Sequence, residues 1–282
     1  MLKIRIVLAK IFKFLFELNF VKDKYFGLYK RVFKPFNLFK GVVVKGSFNG
    51  LTLMLHIDDW IQSQLYFLGE YEMAELKTLN AFLNDKSVFV DLGANLGLFS
   101  LYASQLVGEK GQVISFEPFK KNYEALSDNV SINNLLNIQI ENLAIGEKDS
   151  FVNLYYDSNE MNLGMVSTSY IDNAYVEKIN VITLDSYFEQ NSISRLDFIK
   201  IDIEGHEYKA LLGMNDILIR FHPTILIEIL NNADVSINKK NIYNYLENLG
   251  YKKYFINNEG GVSKVQTDSK RQNYIFTTKI NL

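Results

Sequence analysis

The chain has 282 residues, of which 48% are hydrophobic and 22% are charged, so it can bury a core of ordinary globular size. This composition excludes an intrinsically disordered chain and a disulfide-stapled mini-protein. The absence of cysteine excludes disulfides, thiolate zinc sites and a cysteine nucleophile, and three histidines are too few for a His-rich metal site.

The net charge of −2 conceals an asymmetry along the chain. Residues 1–45 carry eleven Lys or Arg and two acidic residues, a net charge of +9, whereas the other 237 residues have a net charge of −11. We expect the basic segment either to meet an anionic surface or to dock on the acidic remainder. Because the remainder is acidic, we predict no nucleic-acid partner.

The first predicted element is an amphipathic helix over the first 20 residues, with Ile4, Leu8, Ile11, Leu15 and Leu18 on one face. No apolar run approaches the roughly 20 residues that span a bilayer. Lysines also interrupt the block of about 7–15 apolar residues that a secretory signal needs. We therefore expect a cytoplasmic protein whose helix either lies on the inner face of the membrane or caps the main domain.

Two short strands and two helices are predicted between this helix and residue 80. The strands are Gly41–Val44 and Leu51–Ile57, and the helices are Asp59–Leu68 and Tyr71–Leu83. We therefore predict an N-terminal arm and cap region over residues 1–80 and a second domain over residues 81–282.

Strands alternate with helices through the second predicted domain. The strands are Val88–Leu92, Val113–Glu117, Ile138–Ala144, Leu196–Ile203, Thr224–Ile229, Tyr251–Ile256 and Asn273–Thr278. The helices are Gly97–Leu106, Lys120–Asn133, His206–Leu212 and Lys240–Leu249. This alternation predicts an α/β fold with a doubly wound, mainly parallel sheet. Period-two stretches at Val152–Tyr156 and Val181–Leu184 predict a hairpin added to the sheet or to its rim.

Acidic residues stand at the carboxyl ends of four predicted strands, where ligands bind in such sheets. They are Asp91, Glu117, Asp202, Glu204 and Glu228. A set of carboxylates at one rim is a stronger indication of a ligand site than any single one of them.

The turn Asp91–Gly97 follows a strand and opens a helix, and its features suit a nucleoside. Gly93 permits a tight turn and close backbone approach to a ligand. The helix amino terminus behind the turn offers N–H groups and a partial positive charge. Glu117 ends the next strand 24 residues after Gly93, near the spacing of an acid that binds ribose hydroxyls.

Two departures from the dinucleotide pattern favour a cationic nucleoside. Asn95 stands where that pattern has its second glycine, and the Asp91 carboxylate would repel a pyrophosphate. S-adenosylmethionine carries an ammonium and a sulfonium, so we expect it as the ligand. The alternative is a nicotinamide-dependent oxidoreductase with a degenerate glycine turn.

Charged residues alternate with isoleucines along the fourth strand of the domain. Side chains alternate on a strand, so Lys200, Asp202 and Glu204 are expected to share one face. Central strands of parallel sheets are apolar on both faces, so such charges need partners or a function. We predict that Asp202, Glu204 and His206 surround an acceptor hydroxyl, with Lys200 as their buried counter-charge. The alternative is an edge strand with one face in water.

Those three groups suit removal of a proton from a hydroxyl as a methyl group arrives. His206 is the candidate base by its pKa, and Asp202 or Glu204 by position. His206 could also be an ordinary residue at a helix start. Oxygen ligands from Asp202, Glu204 and Glu228 could instead hold a divalent cation, an alternative that we do not predict. A catalytically silent interaction module is the remaining alternative, and the intact acidic set argues against it.

Several separate motifs occur in an order that resembles the FkbM-type methyltransferase family. They are Val90–Gly97, Phe116–Pro118, Thr183–Asp185 and Lys200–Glu207, with further similarity at Asp59-Trp60, Gln64, Gly69–Glu72 and Pro223–Glu228. The resemblance covers roughly residues 55–230 and leaves out the basic arm and the C-terminal strands.

This resemblance implies a Rossmann-like class I methyltransferase fold, S-adenosylmethionine as cofactor, and O-methylation of a sugar, surface glycan or related natural product. It also implies that Asp91, Gly93 and Asn95 serve the methionine end of the cofactor, Glu117 the ribose, and Ala144 the adenine. The identity of the acceptor is not implied.

Overall fold

The structure is a computed structural model that describes residues 1–156, 175–229, 236–266 and 272–279. The chain divides into two compact units. The first unit is Met1–Glu72, Ser131–Asn133 and Tyr155–Tyr175, and the second is Met73–Val130, Asn134–Leu154 and Val176–Leu282. The sequence-based boundary between residues 80 and 81 stays a prediction.

The N-terminal unit combines short helices with one β-hairpin. Its elements are α1 (Leu2–Phe16), α2 (Asn19–Lys22), α3 (Tyr25–Leu28), a π-helical turn (Tyr29–Phe33), β1 (Val43–Phe48), β2 (Leu51–His56) and α4 (Trp60–Leu68). The unit is built around buried aromatic rings such as Tyr25, Phe33 and Phe67, whose centroids lie 5.7–6.4 Å apart. The first strand begins at Val43 and not at Gly41, because Gly41 has φ +73° and its N–H binds the Asp58 carboxylate.

The second unit contains a larger sheet with its helices. Its helices are α5 (Met73–Phe82), α6 (Leu98–Val107), α7 (Lys120–Ile132), α8 (Leu184–Gln190), α9 (Glu207–Leu212), α10 (Asn215–Phe221) and α11 (Ser236–Asn248). Its strands are β3 (Val88–Leu92), β4 (Gln112–Phe116), β5 (Ile138–Glu141), β6 (Ala144–Ile145), β7 (Ser150–Tyr156), β8 (Tyr175–Ile182), β9 (Phe198–Ile201), β10 (Thr224–Glu228), β11 (Lys252–Ile256), β12 (Val262–Ser263) and β13 (Asn273–Thr277). The last two residues of α7 and of β7 and the first residue of β8 fall in the first unit.

The strand order in the main sheet is β12-β11-β13-β10-β9-β3-β4-β5. The strands from β10 through β5 pair in parallel, whereas β13 is antiparallel to both β10 and β11. The chain builds outward from β3 in both directions, which confirms the predicted doubly wound, mainly parallel α/β sheet. The change of direction between β3 and β9 creates the crevice where such sheets bind ligands.

The two faces of β3 and β9 have different characters. On one face, Val90 and Ile199 belong to a buried apolar cluster that also contains residues of α8, α9, α10 and α11. On the other face, Phe198 stacks on Phe89, and Lys200 is buried although it is charged. The predicted alternation of isoleucines with Lys200 is therefore confirmed, and the edge-strand alternative is wrong because β9 pairs with β3 and β10 on its two sides.

Of the two positions predicted for the hairpin of Val152–Tyr156 and Val181–Leu184, the one within the main sheet is wrong. Strands β7 and β8 do not join the main sheet but form a separate sheet with β6, in the order β6-β8-β7. The strand predicted at Ile138–Ala144 is interrupted, because the Asn142 side chain turns toward the carbonyls of Glu117 and Pro118. Its first part pairs with β4 in the main sheet, and Ala144 pairs with Val181 in the smaller one.

Three further short elements of the second unit were not predicted. Sequence patterns did not indicate α8, α10 or β12, which are seven, seven and two residues long.

Over the described ranges, no helix has the length and apolar character needed to cross a membrane.

Candidate active site

The turn after β3 is held in place by hydrogen bonds from its backbone to the end of β4. The N–H groups of Gly93 and Ala94 both donate to the carbonyl of Phe116, at 3.0 and 3.1 Å. Gly93 has φ +78°, and a Cβ atom there would lie 1.9 Å from the carbonyl oxygen of Asp202. Glycine is required at this position by a conformation that L side chains rarely adopt and by the close approach of the end of β9.

Glu117 lies at the end of β4 and bonds to the same turn. Its Oε2 accepts the backbone N–H of Asn95 at 2.7 Å, and its Oε1 accepts that of Phe119 at 3.0 Å. The side chain is 5% exposed. Burial raises the pKa of the Glu117 carboxyl to about 7, against the hydrogen bonds from Phe119, Asn95 and Asn122, which lower it.

Asp91 lies beneath the turn and is completely buried. Its Oδ2 accepts a 2.6 Å hydrogen bond from the Ser100 hydroxyl, and Ser115 donates to Ser100 at 2.8 Å. Its Oδ1 lies 3.7 Å from the Nζ of Lys200. Burial raises the pKa of Asp91, and the charge of Lys200 opposes that shift. The Asp91 carboxylate is therefore enclosed by groups of its own chain.

Lys200 connects the buried carboxylate to the rim of the sheet. Its Nζ lies 3.2 Å from Oδ2 of Asp202, 3.7 Å from Oδ1 of Asp91 and 4.9 Å from the centre of the Phe99 ring. The Asp202 side chain is 30% exposed, whereas that of Lys200 is only 6% exposed. Asp202 is thus the member of this ion-pair network that a ligand can reach, and the predicted counter-charge role of Lys200 matches this geometry.

Glu204 departs from the predicted strand face. Strand β9 ends at Ile201, and Glu204 adopts φ +52° in the turn that follows, with its side chain exposed. The two-residue alternation that placed Glu204 beside Lys200 and Asp202 therefore stops before reaching it. Gly205 continues the turn at φ +96°, where a Cβ would meet no atom within 4 Å.

The turn ends at His206, the N-cap residue of α9. Burial lowers the pKa of the half-buried His206 imidazole, and the charge of Lys209 lowers it further. Glu207 is 4% exposed, and its Oε1 accepts the backbone N–H of Gly205 at 2.9 Å. This role of Glu207 was not predicted, although an acid two residues after a glycine in a turn could have suggested it.

Two further motif residues have mainly structural roles. Thr183 caps α8 by accepting the N–H of Ser186, and Asp185 accepts the N–H groups of Asp216 and Ile217 at the start of α10. These hydrogen bonds give Thr183 and Asp185 structural roles that require no ligand. Ala144 lies in β6, just after Asn142, whose amide binds the carbonyl of Glu117.

The structure brings Gly93, Asn95, Glu117, Asp202 and His206 to one edge of the main sheet, whereas Ala144 lies in β6 of the smaller sheet. Asp91 is buried beneath the others, and Glu204 lies in an exposed turn. Within the part of the chain that the structure describes, no three acidic or histidine side chains are close enough to hold a metal ion together. The accessible groups are mainly carboxylates, which suit a ligand carrying hydroxyls and positive charge.

Comparison with known proteins identifies relatives of this chain. Residues 91–253 match the "Methyltransferase FkbM domain". "Methyltransferase 1" of Beauveria bassiana is 22% identical over 150 residues, which cover 47% of this chain and 60% of the relative. "Methyltransferase sdnD" of Sordaria araneosa is 26% identical over 176 residues, covering 52% of this chain and 64% of the relative. The chain thus spans less than two thirds of either relative's length.

Among solved structures, the methyltransferase FkbM from Methylobacillus flagellatus is 17% identical, with a TM-score of 0.48, and the match covers 69% of this chain and 44% of that one. A SAM-dependent methyltransferase from Aquifex aeolicus is 15% identical, with a TM-score of 0.42, and the match covers 76% of this chain and 96% of that one. The family match and the two named methyltransferases do not support the oxidoreductase or the silent module.

Proposed function

Because the chain belongs to the FkbM methyltransferase family, we propose that it transfers a methyl group from S-adenosylmethionine to a hydroxyl of a sugar, surface glycan or related natural product. The observation that carries this proposal is the hydrogen bond between Glu117 and the backbone of Asn95. It joins an acid suited to ribose hydroxyls to a glycine turn suited to a nucleoside. The Rossmann-like class I fold implied by the family agrees with the strand order of the sheet.

The residues at this edge fit the proposed cofactor. When bound, S-adenosylmethionine would supply a methyl group on a positively charged sulfur. Glu117 accepts N–H groups from Asn95 and Phe119 and a hydrogen bond from Asn122, so of the roughly four acceptor sites of a carboxylate one remains for a ribose hydroxyl. Gly93 and Asn95 would let the backbone approach the methionine end, and Ala144 would lie beside the adenine.

Because Asp91 is buried, it would contribute to cofactor binding indirectly. Its oxygens face Ser100 and Lys200, so it would act on the methionine end indirectly, by fixing Lys200. Lys200 would then hold Asp202, whose partly exposed carboxylate can attract the positive charge of the cofactor. Asp91 is therefore proposed as a positioning residue of the binding site.

The chain must also accept the proton that the acceptor hydroxyl loses. On transfer, the acceptor oxygen would gain the methyl group, the sulfur would keep the electron pair of the broken bond, and the proton would pass to a base. We assign the base to His206, since burial and Lys209 favour its neutral form, which can accept a proton at pH 7. Asp202 is engaged by Lys200, whereas burial and the charges of Asp202 and Glu207 raise the pKa of Glu204, which keeps Glu204 as the alternative base.

Calorimetry on the whole chain tests the cofactor. S-adenosylmethionine and S-adenosylhomocysteine should both bind, and NAD should not. Binding of NAD alone would contradict the proposal and favour the oxidoreductase.

A labelled methyl group tests the acceptor class. Incubation with methyl-labelled S-adenosylmethionine and cell extract should place the label in the glycan fraction. Label in protein or RNA would contradict the glycan assignment while leaving methyl transfer intact.

The remaining expectations on location and partners stay predictions. They are a cytoplasmic location with peripheral contact at the inner face of the membrane, a small-molecule or glycan acceptor, and no nucleic-acid partner.

A further inference from the structure

Helix α1 has two apolar faces, and one of them packs within the N-terminal unit. Ala9 and Phe16 on this inner face are 0% and 2% exposed. The Phe16 ring lies 5.5 Å from the rings of Tyr25 and Phe67, and Phe12 lies 5.0 Å from Phe33. These contacts fix the orientation of α1 within its unit.

The other face presents large apolar side chains to solvent. We call Ile4, Val7, Ile11, Phe14 and Leu18 the outer stripe; their exposed fractions are 65%, 55%, 49%, 67% and 41%. The spacing of three and four residues places Ile4, Val7, Ile11 and Phe14 along one side of α1, and Leu18 follows two residues after the helix ends at Phe16. An exposed apolar surface of this kind on a folded unit indicates an interaction surface.

The outer stripe is accompanied by positive charge. Lys3 and Lys10 are exposed and precede Ile4 and Ile11 by one residue, so each lies beside the stripe. Residues 1–45 carry a net charge of +9. Of the ion pairs found among the described residues, one involves this segment, between Lys22 and Glu70. Most of the charge is therefore available to an anionic partner.

We propose that the outer stripe and its flanking lysines dock the protein on the surface of an anionic lipid bilayer. An interfacial helix needs an apolar face that enters the acyl boundary and basic residues that meet the headgroups, and α1 supplies both. A second copy of the chain fits less well, because it would bring the same positive segment to the stripe. The helix would lie in the plane of the surface, since its 15 residues are too few to cross a bilayer.

Co-sedimentation of the whole chain with vesicles tests this proposal. Vesicles of phosphatidylcholine mixed with phosphatidylglycerol should bind the protein, and pure phosphatidylcholine vesicles should bind it several-fold less. Added salt should weaken the binding, because it screens the lysines. Equal binding to both kinds of vesicle, or none to either, would overturn the proposal.

Matched substitutions locate the surface. Phe14→Asp should lower vesicle binding by about tenfold or more, because it replaces an inserted ring with a charge. Lys10→Gln should lower it by about fivefold. Leu136→Asp is the control, since Leu136 is 98% exposed and lies outside the stripe, and it should bind as the wild type does.

Sedimentation equilibrium without lipid tests the other occupant. The wild type and Phe14→Asp should have the same mass, and their circular dichroism should show equal helix content. A wild-type dimer that Phe14→Asp converts to a monomer would overturn the lipid assignment in favour of a second copy.

Discussion

The backbone N–H of Asn95 donates a 2.7 Å hydrogen bond to the Glu117 carboxylate, so the turn after β3 and the end of β4 are joined directly. The same turn abuts the end of β9, where Gly93 leaves no room for a side chain beside the Asp202 carbonyl. Three neighbouring strand ends are thereby fixed relative to one another. A site held in this way orders few groups on binding, which favours affinity.

Substitution of Glu117 should weaken cofactor binding. Glu117→Ala removes the carboxylate that we place on a ribose hydroxyl and should cost about 1.5–3 kcal/mol, or roughly ten- to 150-fold in Kd. Calorimetry with S-adenosylhomocysteine measures the change. Glu124→Ala, which alters an exposed acid on α7, is the control and should leave Kd unchanged. Equal affinity of Glu117→Ala and the wild type would contradict the assignment.

The stability of the protein should depend on pH through Glu117. Its pKa is raised from 4.5 to about 7, so the folded state holds this proton more tightly than the unfolded chain does. Its contribution to stability is present below pH 4.5 and is lost as the pH rises through 7, by about 3 kcal/mol. Glu117→Gln lacks this titration. Denaturant unfolding at several pH values should therefore show the wild type losing stability relative to Glu117→Gln over this range, and parallel pH profiles would exclude the shift.

Gly93→Ala should destabilise the protein more than an equivalent change elsewhere. An added Cβ would meet the Asp202 carbonyl at 1.9 Å in a left-handed conformation, so backbone must move. Gly250→Ala is the control, because Gly250 also has a left-handed φ of +86° but nothing within 4 Å. We expect a loss of about 1–2 kcal/mol for Gly250→Ala from strain alone and about 4 kcal/mol or more for Gly93→Ala. Urea unfolding measures both, and equal losses would rule out the close approach.

Lys200→Met should destabilise the fold because it leaves the buried Asp91 without its counter-charge. The expected loss is about 3–5 kcal/mol, the range for one partner of a buried ion pair. Asp91→Asn should restore part of that stability in the double variant. A double-mutant cycle of unfolding free energies measures the coupling. A stable but inactive Lys200→Met would mean instead that Lys200 acts on the substrate.

The main sheet could be predicted from the sequence because its strands are short apolar runs between helical patterns. The positions of Asp91 and Glu204 could not be read in the same way. Asp91 ends an apolar strand as a ligand-binding acid would, but Ser100, nine residues later on α6, turns its carboxylate inward. Glu204 continues a two-residue alternation in the sequence, whereas the left-handed backbone after Ile201 breaks it.

Hydrophobic periodicity also did not show which face of the N-terminal helix packs within its unit. The sequence placed Ile4, Leu8, Ile11, Leu15 and Leu18 on one apolar face, whereas the face that packs within the unit carries Ala9, Phe12 and Phe16. Large rings from Tyr25, Phe33 and Phe67 match that face better than leucines would. The outer stripe follows from that choice of face, which depends on residues distant in the sequence.

The pH dependence of turnover should identify His206 as the base. If His206 accepts the acceptor proton, turnover should rise with pH along a limb whose midpoint lies below 6.5, since burial and Lys209 lower its pKa. His206→Ala should remove this limb and lower kcat by about 10²–10⁴-fold, with the Kd for S-adenosylhomocysteine unchanged. Lys209→Gln removes a cation that favours the neutral imidazole, so it should move the limb to higher pH while His206 stays in place. The measurement is the formation of S-adenosylhomocysteine with a pool of released glycans as acceptor.

A nearly silent His206→Ala combined with an inactive Asp202→Asn would instead assign the role of base to the Asp202 carboxylate. A chelator would then distinguish a carboxylate base from a metal ligand, because it stops only a metal-dependent enzyme.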